Sequence, residues 1–303
     1  MSTYDLCKSY GDKEVLSDVN LRIAEGEFYC LMGPNGSGKS TLLSILASVR
    51  RPTSGRAELY GRPPECSKET IGYIPQENFT STHLTGRENL RYFAGILGYG
   101  CAEARRIVDS ALEKTGLLED ADRRVSQYSG GMRKRLEVAT ALFPGIRVML
   151  LDEPTTGLDP SARRSFLGLI QDIKTENVTI VMVTHMGSDA ELADRVGMID
   201  SGRVVAEGTP QDLKANSGTS SVLEVEVAAK TQRGLEALRR LVGEGAVETD
   251  NGYKILSDDV EVLIPKVNRE LDDAGCKVLE VRAKRPSLED VFFELTGRAV
   301  SEG

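Results

Sequence analysis

The chain lacks residues and segments that several classes of protein require. Only two of its 303 residues are histidine, and its five cysteines form no CxxC pair, so a zinc cluster is not expected. The cysteines are instead expected to be buried reduced thiols. Apolar runs such as 148–151 and 179–183 are strand-sized, far below the ~18 residues that a membrane span needs. The first five residues show neither the basic start nor the apolar core of a secretory signal, which predicts that the chain stays in the cytosol.

The chain also has no excess of positive charge. Its 38 Lys and Arg against 46 Asp and Glu give a net charge of −8. This balance argues against nucleic acid or an anionic lipid surface as a partner. The apolar share of 40% is enough to fill real cores, and the length predicts one large unit followed by a smaller one.

Strand and helix patterns alternate over the first two thirds of the chain. The apolar segment 28–32, bounded by Gly26 and Gly33, is typical of a buried strand, and a helix is predicted from Lys39. Further elements are predicted as helices at 86–115 and 161–174 and as strands at 147–151 and 178–183. This alternation predicts an α/β fold, a mostly parallel sheet with helices on both faces.

A domain boundary is predicted at 215–221, where the residues become small and polar. We expect a first domain at 1–215 and an accessory α+β domain at 222–303. The order β–α–β–β–α–β in the second segment predicts a ferredoxin-like unit.

A glycine-rich loop lies between the predicted strand at 28–32 and the helix from Lys39. It fits the pattern G-x-x-x-x-G-K-[ST] with Gly33, Pro34, Asn35, Gly36, Ser37, Gly38, Lys39 and Ser40. Glycines let successive backbone N–H groups converge on phosphate oxygens, and the helix N-terminus adds partial positive charge. Lys39 can reach the β- and γ-phosphates, Ser40 can bind Mg²⁺, and Thr41 can hydrogen-bond an inner phosphate. Alone, the pattern could be a turn with an exposed lysine, but the flanking strand and helix favour a phosphate loop.

Two carboxylates follow the apolar run at 148–151. Asp152 at the end of the predicted strand can hold Mg²⁺ directly or through water, and Glu153 is the candidate base for an attacking water. A helix cap or an ion pair explains many such matches in isolation. The phosphate loop upstream favours the catalytic interpretation.

The segment 128–133, Tyr-Ser-Gly-Gly-Met-Arg, resembles the LSGGQ signature of ABC transporter ATP-binding subunits. It begins its Ser-Gly-Gly at Ser129, 23 residues before Asp152, as in that family. Leu and Gln of the signature are replaced by Tyr128 and Met132. Ser129 and the N–H groups of Gly130 and Gly131 remain to face an anion at a helix N-terminus.

This resemblance implies roles for further residues. Gln76 matches the glutamine whose amide oxygen binds Mg²⁺ and senses the γ-phosphate, and Asp159 matches the aspartate of the family's D-loop. His185, at a predicted strand end, matches the switch histidine that hydrogen-bonds the γ-phosphate. Tyr10 matches the aromatic residue that stacks on adenine, with Tyr4 as a second candidate. Taken alone, Gln76 would be a solvated loop residue, Asp159 a helix cap and His185 a structural residue.

The resemblance also implies an architecture and a catalytic cycle. It implies a P-loop NTPase core of the ABC type, with a mixed sheet and a helical subdomain at about 80–145. Two subunits would pair head to tail around two Mg-ATP, so that Ser129 of each acts on the nucleotide of the other. Lys39, Glu153 and His185 would then act in ATP hydrolysis. Whether the two subunits are identical is left open.

The segment 286–297 resembles the tail of the daunorubicin-type, drug-resistance branch of exporter ATPases. That branch works with separate integral-membrane permeases of the ABC-2 type, which implies a peripheral location at the cytoplasmic side of the membrane. Phe79, Leu84, Tyr92 and Phe93 could form an apolar patch for the permease or could be buried in the helical subdomain. Segment 222–303 could be regulatory, could stabilise the dimer or could be an inert appendage. The alternative functions are a non-transport ABC ATPase and an ATP-sensing module.

Overall fold

The computed structural model describes residues 1–175, 177–216, 221–257 and 260–297. In these ranges the strands are β1 (Ser2–Tyr10), β2 (Lys13–Arg22), β3 (Phe28–Met32), β4 (Ser54–Glu58), β5 (Ile71–Ile74), β6 (Val148–Asp152), β7 (Thr179–Thr184), β8 (Arg195–Asp200), β9 (Arg203–Gly208), β10 (Ser221–Val227), β11 (Ala246–Thr249), β12 (Gly252–Ser257) and β13 (Val278–Lys284). The α-helices are α1 (Lys39–Leu46), α2 (Gly86–Ile96), α3 (Cys101–Lys114), α4 (Gly130–Thr140), α5 (Pro160–Lys174), α6 (Gly187–Ala190), α7 (Pro210–Asn216), α8 (Gln232–Val242), α9 (Val260–Asp273) and α10 (Leu288–Thr296). None of these described helices has the length and apolar composition that crossing a bilayer requires.

The central sheet has the strand order β5-β6-β7-β3-β8-β9. The five adjacent strands from β5 to β8 in this order are parallel to one another, and β9 pairs antiparallel with β8 at the edge. Every residue of β3, β6 and β7 is buried because two cores cover the two faces of the sheet. Phe28 and Met32 contribute to the core that contains Phe166 of α5, whereas Tyr29 and Leu31 contribute to the core that contains α1. The predicted mixed sheet with helices on both faces is confirmed.

A second sheet, with the order β2-β1-β4, packs against the face of the central sheet that α1 covers. Its pairs are antiparallel, and the register between β1 and β2 shifts several times. Leu6, Leu16 and Val19 are fully buried in the core that also contains Leu42. This sheet therefore closes one side of the phosphate-loop helix.

The predicted helical segment 86–115 contains two helices, α2 and α3. Gly98 between them has φ of +84°, a left-handed conformation that glycine adopts without strain and that ends a helix. Both helices pack with α4 around a separate core that includes Leu90, Val108 and Leu136. This core makes α2, α3 and α4 a distinct helical unit beside the central sheet.

The accessory segment has the predicted order β10-α8-β11-β12-α9-β13. Its strands form an antiparallel sheet with the spatial order β11-β12-β10-β13. Leu223 and Val225 of β10 pack with Leu238 of α8 and Leu271 of α9, so the helices cover one face of this sheet. The predicted boundary at 215–221 falls largely on residues 217–220, which lie outside the described residues.

Helix α10 follows the accessory sheet in the chain but packs on the first unit. Leu288, Val291 and Phe292 are buried in the same core as Phe166 of α5. A capping box begins the helix: the Asp290 carboxylate accepts a hydrogen bond from the backbone N–H of Ser287 at 2.7 Å, and the Ser287 hydroxyl accepts one from the N–H of Asp290. Helix α10 is thus part of the hydrophobic core of the first unit, whereas the accessory sheet has a core of its own.

The expectation that the cysteines are buried is correct for only part of the set. Cys30 and Cys276 are buried, Cys7 is partly exposed, and Cys66 and Cys101 are exposed. Cys101 is the first residue of α3, and Cys66 ends a short turn of helix, so both lie at solvent-facing ends of elements.

We expect Phe292→Ala to lower the free energy of unfolding of the first unit by about 3–5 kcal/mol, because it leaves a cavity in the shared core. Phe292 has no solvent exposure, whereas Leu295 on the same helix is 51% exposed. Leu295→Ala is therefore the matched control, with an expected change below about 0.5 kcal/mol. Chemical denaturation followed by circular dichroism measures both, and equal small effects would contradict the packing of α10.

Candidate functional site

Four neighbouring parallel strands deliver polar residues to one edge of the central sheet. Gln76 follows β5, Asp152 ends β6 and is followed by Glu153, and His185 follows β7. The loop 33–38 follows β3, with the Gly33 N–H donating to the backbone oxygen of Thr184 at 3.3 Å. The carboxyl ends of parallel strands share one edge, which is where ligands bind in open α/β sheets.

The phosphate loop needs its glycines for close approach as well as for conformation. Gly38 has φ of +105°, and a Cβ there would lie 2.8 Å from the backbone oxygen of Val15. A Cβ on Gly33 would lie 2.2 Å from the backbone oxygen of Ile199. Buried Ser37 Oγ has no hydrogen-bond partner within the described residues, as expected of a group that would meet a ligand oxygen. The loop thus fits the phosphate group that its pattern predicts.

The Lys39 ammonium lies inside the loop rather than in solvent. Its Nζ donates to the backbone oxygens of Gly33 and Pro34 at 2.8 and 2.9 Å and lies 3.6 Å from Glu153 Oε1. Burial lowers the pKa of Lys39, and the negative charge of Glu153 opposes that shift. A bound phosphate would supply negative charge at the same place. Ser40 and Thr41 follow in the first turn of α1.

Oxygen atoms suited to a hard cation meet beside the loop. Ser40 Oγ donates to Asp152 Oδ1 at 2.8 Å, which brings together two residues 112 positions apart. Burial raises the pKa of Asp152, and the Ser40 hydrogen bond opposes this. Neighbouring Tyr73 has its pKa raised to about 12, mainly by burial. Hydroxyl, carboxylate and amide oxygens are the ligands Mg²⁺ prefers, so Ser40, Asp152 and Gln76 fit that ion.

Glu153 is the centre of the site. Its Oε2 accepts hydrogen bonds from Gln76 Nε2 at 3.4 Å and from Thr156 Oγ1 at 3.3 Å, while its Oε1 faces Lys39. Its backbone φ is +45°, a left-handed conformation that costs a non-glycine residue about 1–3 kcal/mol. Such strain persists where the surrounding structure determines it, and it is concentrated at functional sites. This conformation turns the carboxylate into the cluster.

His185 lies beside the second carboxylate oxygen of Glu153, the one that does not face Lys39. Its Nδ1 is 3.4 Å from Glu153 Oε2, and this buried nitrogen makes no well-aligned hydrogen bond within the described part of the chain. The next residue is held by strand β7, since the Met186 N–H donates to Thr184 Oγ1 at 3.0 Å. A polar nitrogen left unsatisfied beside a phosphate loop fits a ligand contact.

The signature segment is placed apart from this cluster. Ser129 caps α4, accepting a hydrogen bond from the Met132 N–H at 3.3 Å, and both Ser129 and Gly130 are exposed. Gly131 is buried against α5, where an added Cβ would lie 3.0 Å from Ala162 Cβ. Ser129 and Gly130 are therefore exposed at the start of α4, and within the described residues they are not among the groups that contact Glu153.

Asp159 caps helix α5. Its Oδ1 accepts hydrogen bonds from the backbone N–H groups of Ala162 at 3.0 Å and Ser161 at 2.9 Å, and these lower its pKa. This is the structural role that the residue alone suggests. A contact with nucleotide stays a prediction.

Tyr10 ends strand β1 and is 41% exposed. The Lys8 ammonium and the Arg50 guanidinium lie 5.0 and 5.5 Å from its ring centroid, and Arg50 also donates to its hydroxyl at 3.0 Å. The Tyr4 ring contacts Arg56 in a similar way, at 4.3 Å. Adenine stacking on Tyr10 stays a prediction.

The structure adds residues that the sequence patterns did not single out. Thr156 lies three positions after Glu153 and donates a hydrogen bond to its carboxylate. This short spacing is a sequence signal from which the contact could have been predicted. Lys134 of α4 donates to the backbone oxygen of Gln76 at 3.0 Å and pairs with buried Glu137 at 3.1 Å. No local signal marks Lys134, because it is 58 positions from Gln76. Helix α4, which begins in the signature segment, thus holds the segment that carries Gln76.

Comparisons with known proteins agree with this geometry. The family model described as ABC transporter matches residues 16–156. A daunorubicin resistance ATP-binding protein of Streptomyces coeruleorubidus is 37% identical over 96% of this chain and 93% of that protein. The Nod factor export ATP-binding protein I of Rhizobium etli is 34% identical over 98% and 93%. A dimeric ATP-binding cassette solved in a post-hydrolysis state with ADP and Pi has a TM-score of 0.63, with 28% identity over 69% of this chain and 97% of that one.

We expect Lys39→Ala to weaken ATP binding by about 10- to 100-fold, since hydrogen bonds to a charged group contribute about 1.5–3 kcal/mol. Isothermal titration calorimetry with ATP measures the change. Lys68→Ala, at an exposed lysine of the same unit, is the control and should bind like the wild type. Near-normal affinity of Lys39→Ala would contradict the phosphate-loop assignment.

Proposed function

Because the chain belongs to the ABC transporter family of ATP-binding subunits, we propose that it binds and hydrolyses ATP to power export through separate membrane subunits. The observation that carries this proposal is the convergence of Lys39, Gln76 and His185 on Glu153 beside a phosphate loop. A phosphate loop and a group that positions or activates water are recurring parts of sites for phosphoryl transfer, and His185 adds a polar group beside them.

ATP binds with its phosphates on the loop 33–38 and the N-terminus of α1. Lys39 turns from the loop carbonyls to the β- and γ-phosphates, whose negative charge stabilises the buried ammonium in addition to Glu153. Ser40, Asp152 and Gln76 would hold Mg²⁺, and its charge would offset that of the phosphates. Tyr10 stacks on the adenine ring at the edge of the site.

Hydrolysis uses Glu153 as the general base. Its carboxylate accepts the proton of a water placed beside the γ-phosphate, and Gln76 and Thr156 fix its orientation. His185 and Lys39 donate hydrogen bonds where negative charge develops on the transferred group. An ATP-sensing module without turnover would not need a carboxylate at this position.

A second subunit completes each nucleotide site. Ser129 and Gly130 are exposed and lie outside the cluster of their own chain, so they are available to an anion held by another subunit. Head-to-tail pairing places Ser129 and Asp159 of one chain against ATP of the other. ATP then favours closure because its γ-phosphate joins both subunits, and hydrolysis removes that link.

The membrane subunits dock on an aromatic patch next to Gln76, which is formed by Phe79, Tyr92 and Phe93. The closing and reopening of the two ATP-binding subunits is transmitted to them there. Phe79 and Phe93 pack edge to face at 5.4 Å, and Tyr92, at 5.5 Å from Phe93, is 61% exposed. An exposed aromatic surface of this kind fits a protein partner. Docking there places the chain at the cytoplasmic side of the membrane. The named relatives indicate an exporter of the drug-resistance or Nod factor type, whose membrane subunits select the cargo.

Glu153→Gln tests the base. The variant should bind ATP like the wild type but release phosphate at least about 100-fold more slowly, because the amide cannot accept the proton. It should also accumulate as a dimer with ATP, measured by size-exclusion chromatography with light scattering. Glu77→Gln, at an exposed carboxylate next to Gln76, is the control with unchanged turnover. Wild-type phosphate release by Glu153→Gln would refute the assignment.

Dilution tests the need for a second subunit. Phosphate release per chain should fall as the concentration drops below that at which light scattering detects dimers, because a single chain lacks the partner's Ser129. Ser129→Arg should lower turnover at every concentration while leaving ATP binding intact. Constant turnover per chain in a monomeric solution would contradict this prediction.

A further inference from the structure

The segment 185–187, which follows strand β7 and contains His185, is held by Glu289 of helix α10. The Gly187 N–H, at the first residue of α6, donates to Glu289 Oε1 of α10 at 2.6 Å, across 102 positions of sequence. The N-cap residue Met186 provides no side-chain hydrogen bond to the backbone N–H groups at the start of this helix. Glu289 therefore supplies the acceptor that the local sequence does not, in a charge-assisted hydrogen bond.

Gly187 permits this contact because it has no side chain. A Cβ at this position would lie 2.2 Å from Glu289 Oε2 and 2.6 Å from Oε1. Its φ is not in the left-handed region, so the backbone does not itself require glycine. The close approach of the carboxylate is what a larger residue would prevent.

The rest of α6 is fixed to the catalytic side of the fold. Asp189 has no solvent exposure, and it accepts hydrogen bonds from Thr155 Oγ1 at 2.5 Å and from Arg163 Nε at 2.7 Å. Thr155 lies two positions after Glu153, and Arg163 belongs to α5. A buried carboxylate with two such partners leaves α6 little freedom to shift.

His185 is thus placed between two fixed points. On one side Thr184 is buried in β7 and accepts from the Met186 N–H, and on the other Gly187 is bonded to Glu289. The imidazole has no well-aligned hydrogen bond of its own within the described residues. Its position therefore depends on the backbone of this short segment.

Glu289 is in turn positioned by both parts of the chain. Leu288 and Val291 on either side of it are buried in the core of the first unit. The adjacent Asp290 pairs with Lys254 of β12 in the accessory sheet. A contact therefore runs from the accessory unit through α10 to the segment that carries His185.

We propose that Glu289 is a positioning residue for His185, and that through it the C-terminal helix sets the geometry of the ATPase site in the same chain. This inference rests on the proposed role of His185 in hydrolysis. Glu289 does not touch the nucleotide; it fixes the start of α6, and α6 fixes the imidazole.

The test uses the full chain, four single variants and the double variant Glu289→Ala with Gly187→Ala. Glu289→Ala removes the acceptor, Glu289→Gln keeps an amide oxygen that can accept, and Gly187→Ala displaces the carboxylate from the other side. Glu294→Ala, at an exposed carboxylate of the same helix, is the matched control. Both kinetics and an NMR readout that needs no turnover are measured.

Glu289→Ala should lower kcat by about 10- to 100-fold, as small displacements of catalytic groups do, with KM for ATP within about twofold of wild type. Glu289→Gln should retain most of the wild-type kcat. Gly187→Ala should resemble Glu289→Ala, and the double variant should show no further loss, because both changes break one contact. Glu294→Ala should leave kcat unchanged.

The NMR readout separates this inference from the proposed function. The chain has two histidines, so the imidazole region of the ligand-free protein contains the signals of His83 and His185 alone. Glu289→Ala should move the His185 signal and leave that of His83 in place. An unmoved His185 signal, or additive losses in the double variant, would overturn the inference. A wild-type chain without ATPase activity would instead overturn the proposed function, while a moved signal would still establish that Glu289 positions His185.

Discussion

Buried opposite charges at the carboxyl edge of the central sheet are the constraint on which this site depends. Lys39, Asp152 and Glu153 are each less than a tenth exposed, and charges at that depth are stable only when they are paired. Each is satisfied by another member of the group or by Ser40, Gln76 and the loop carbonyls. The same groups that balance one another in the chain alone are those that phosphates and a hard cation would require.

The left-handed backbone of Glu153 follows from that constraint. Glu153 follows the last residue of β6 with φ of +45°, and in this conformation its carboxylate faces Lys39. Neighbouring strands hold the turn, since the Glu153 N–H donates to the backbone oxygen of Val183 at 3.0 Å. The strain is local, and the hydrogen bonds and ion pair of the cluster offset it. The orientation of the proposed base and the charge balance of the cluster thus have one structural cause.

Two features connect this cluster to the rest of the molecule. Lys134 links the segment after β5 to the helix whose exposed N-terminus bears Ser129. Glu289 links the segment after β7 to α10 and hence to the accessory sheet. The site is therefore joined by hydrogen bonds to the helical unit on one side and to the C-terminal part on the other. Motion of either part relative to the central sheet would be transmitted to Gln76 or His185.

The sequence alone determined the local parts of this protein: the glycine loop between a strand and a helix, the buried strands that end in Asp152 and before His185, and the order of elements in the accessory unit. These follow from hydrophobic period and from the conformational freedom of glycine, which act over a few residues. Only the tertiary structure decided that the side chains of Gln76, Glu153 and Lys39 meet and that α10 packs on the first unit. Such contacts join residues about a hundred positions apart, and they depend on strand order and core packing, which nearby residues do not encode.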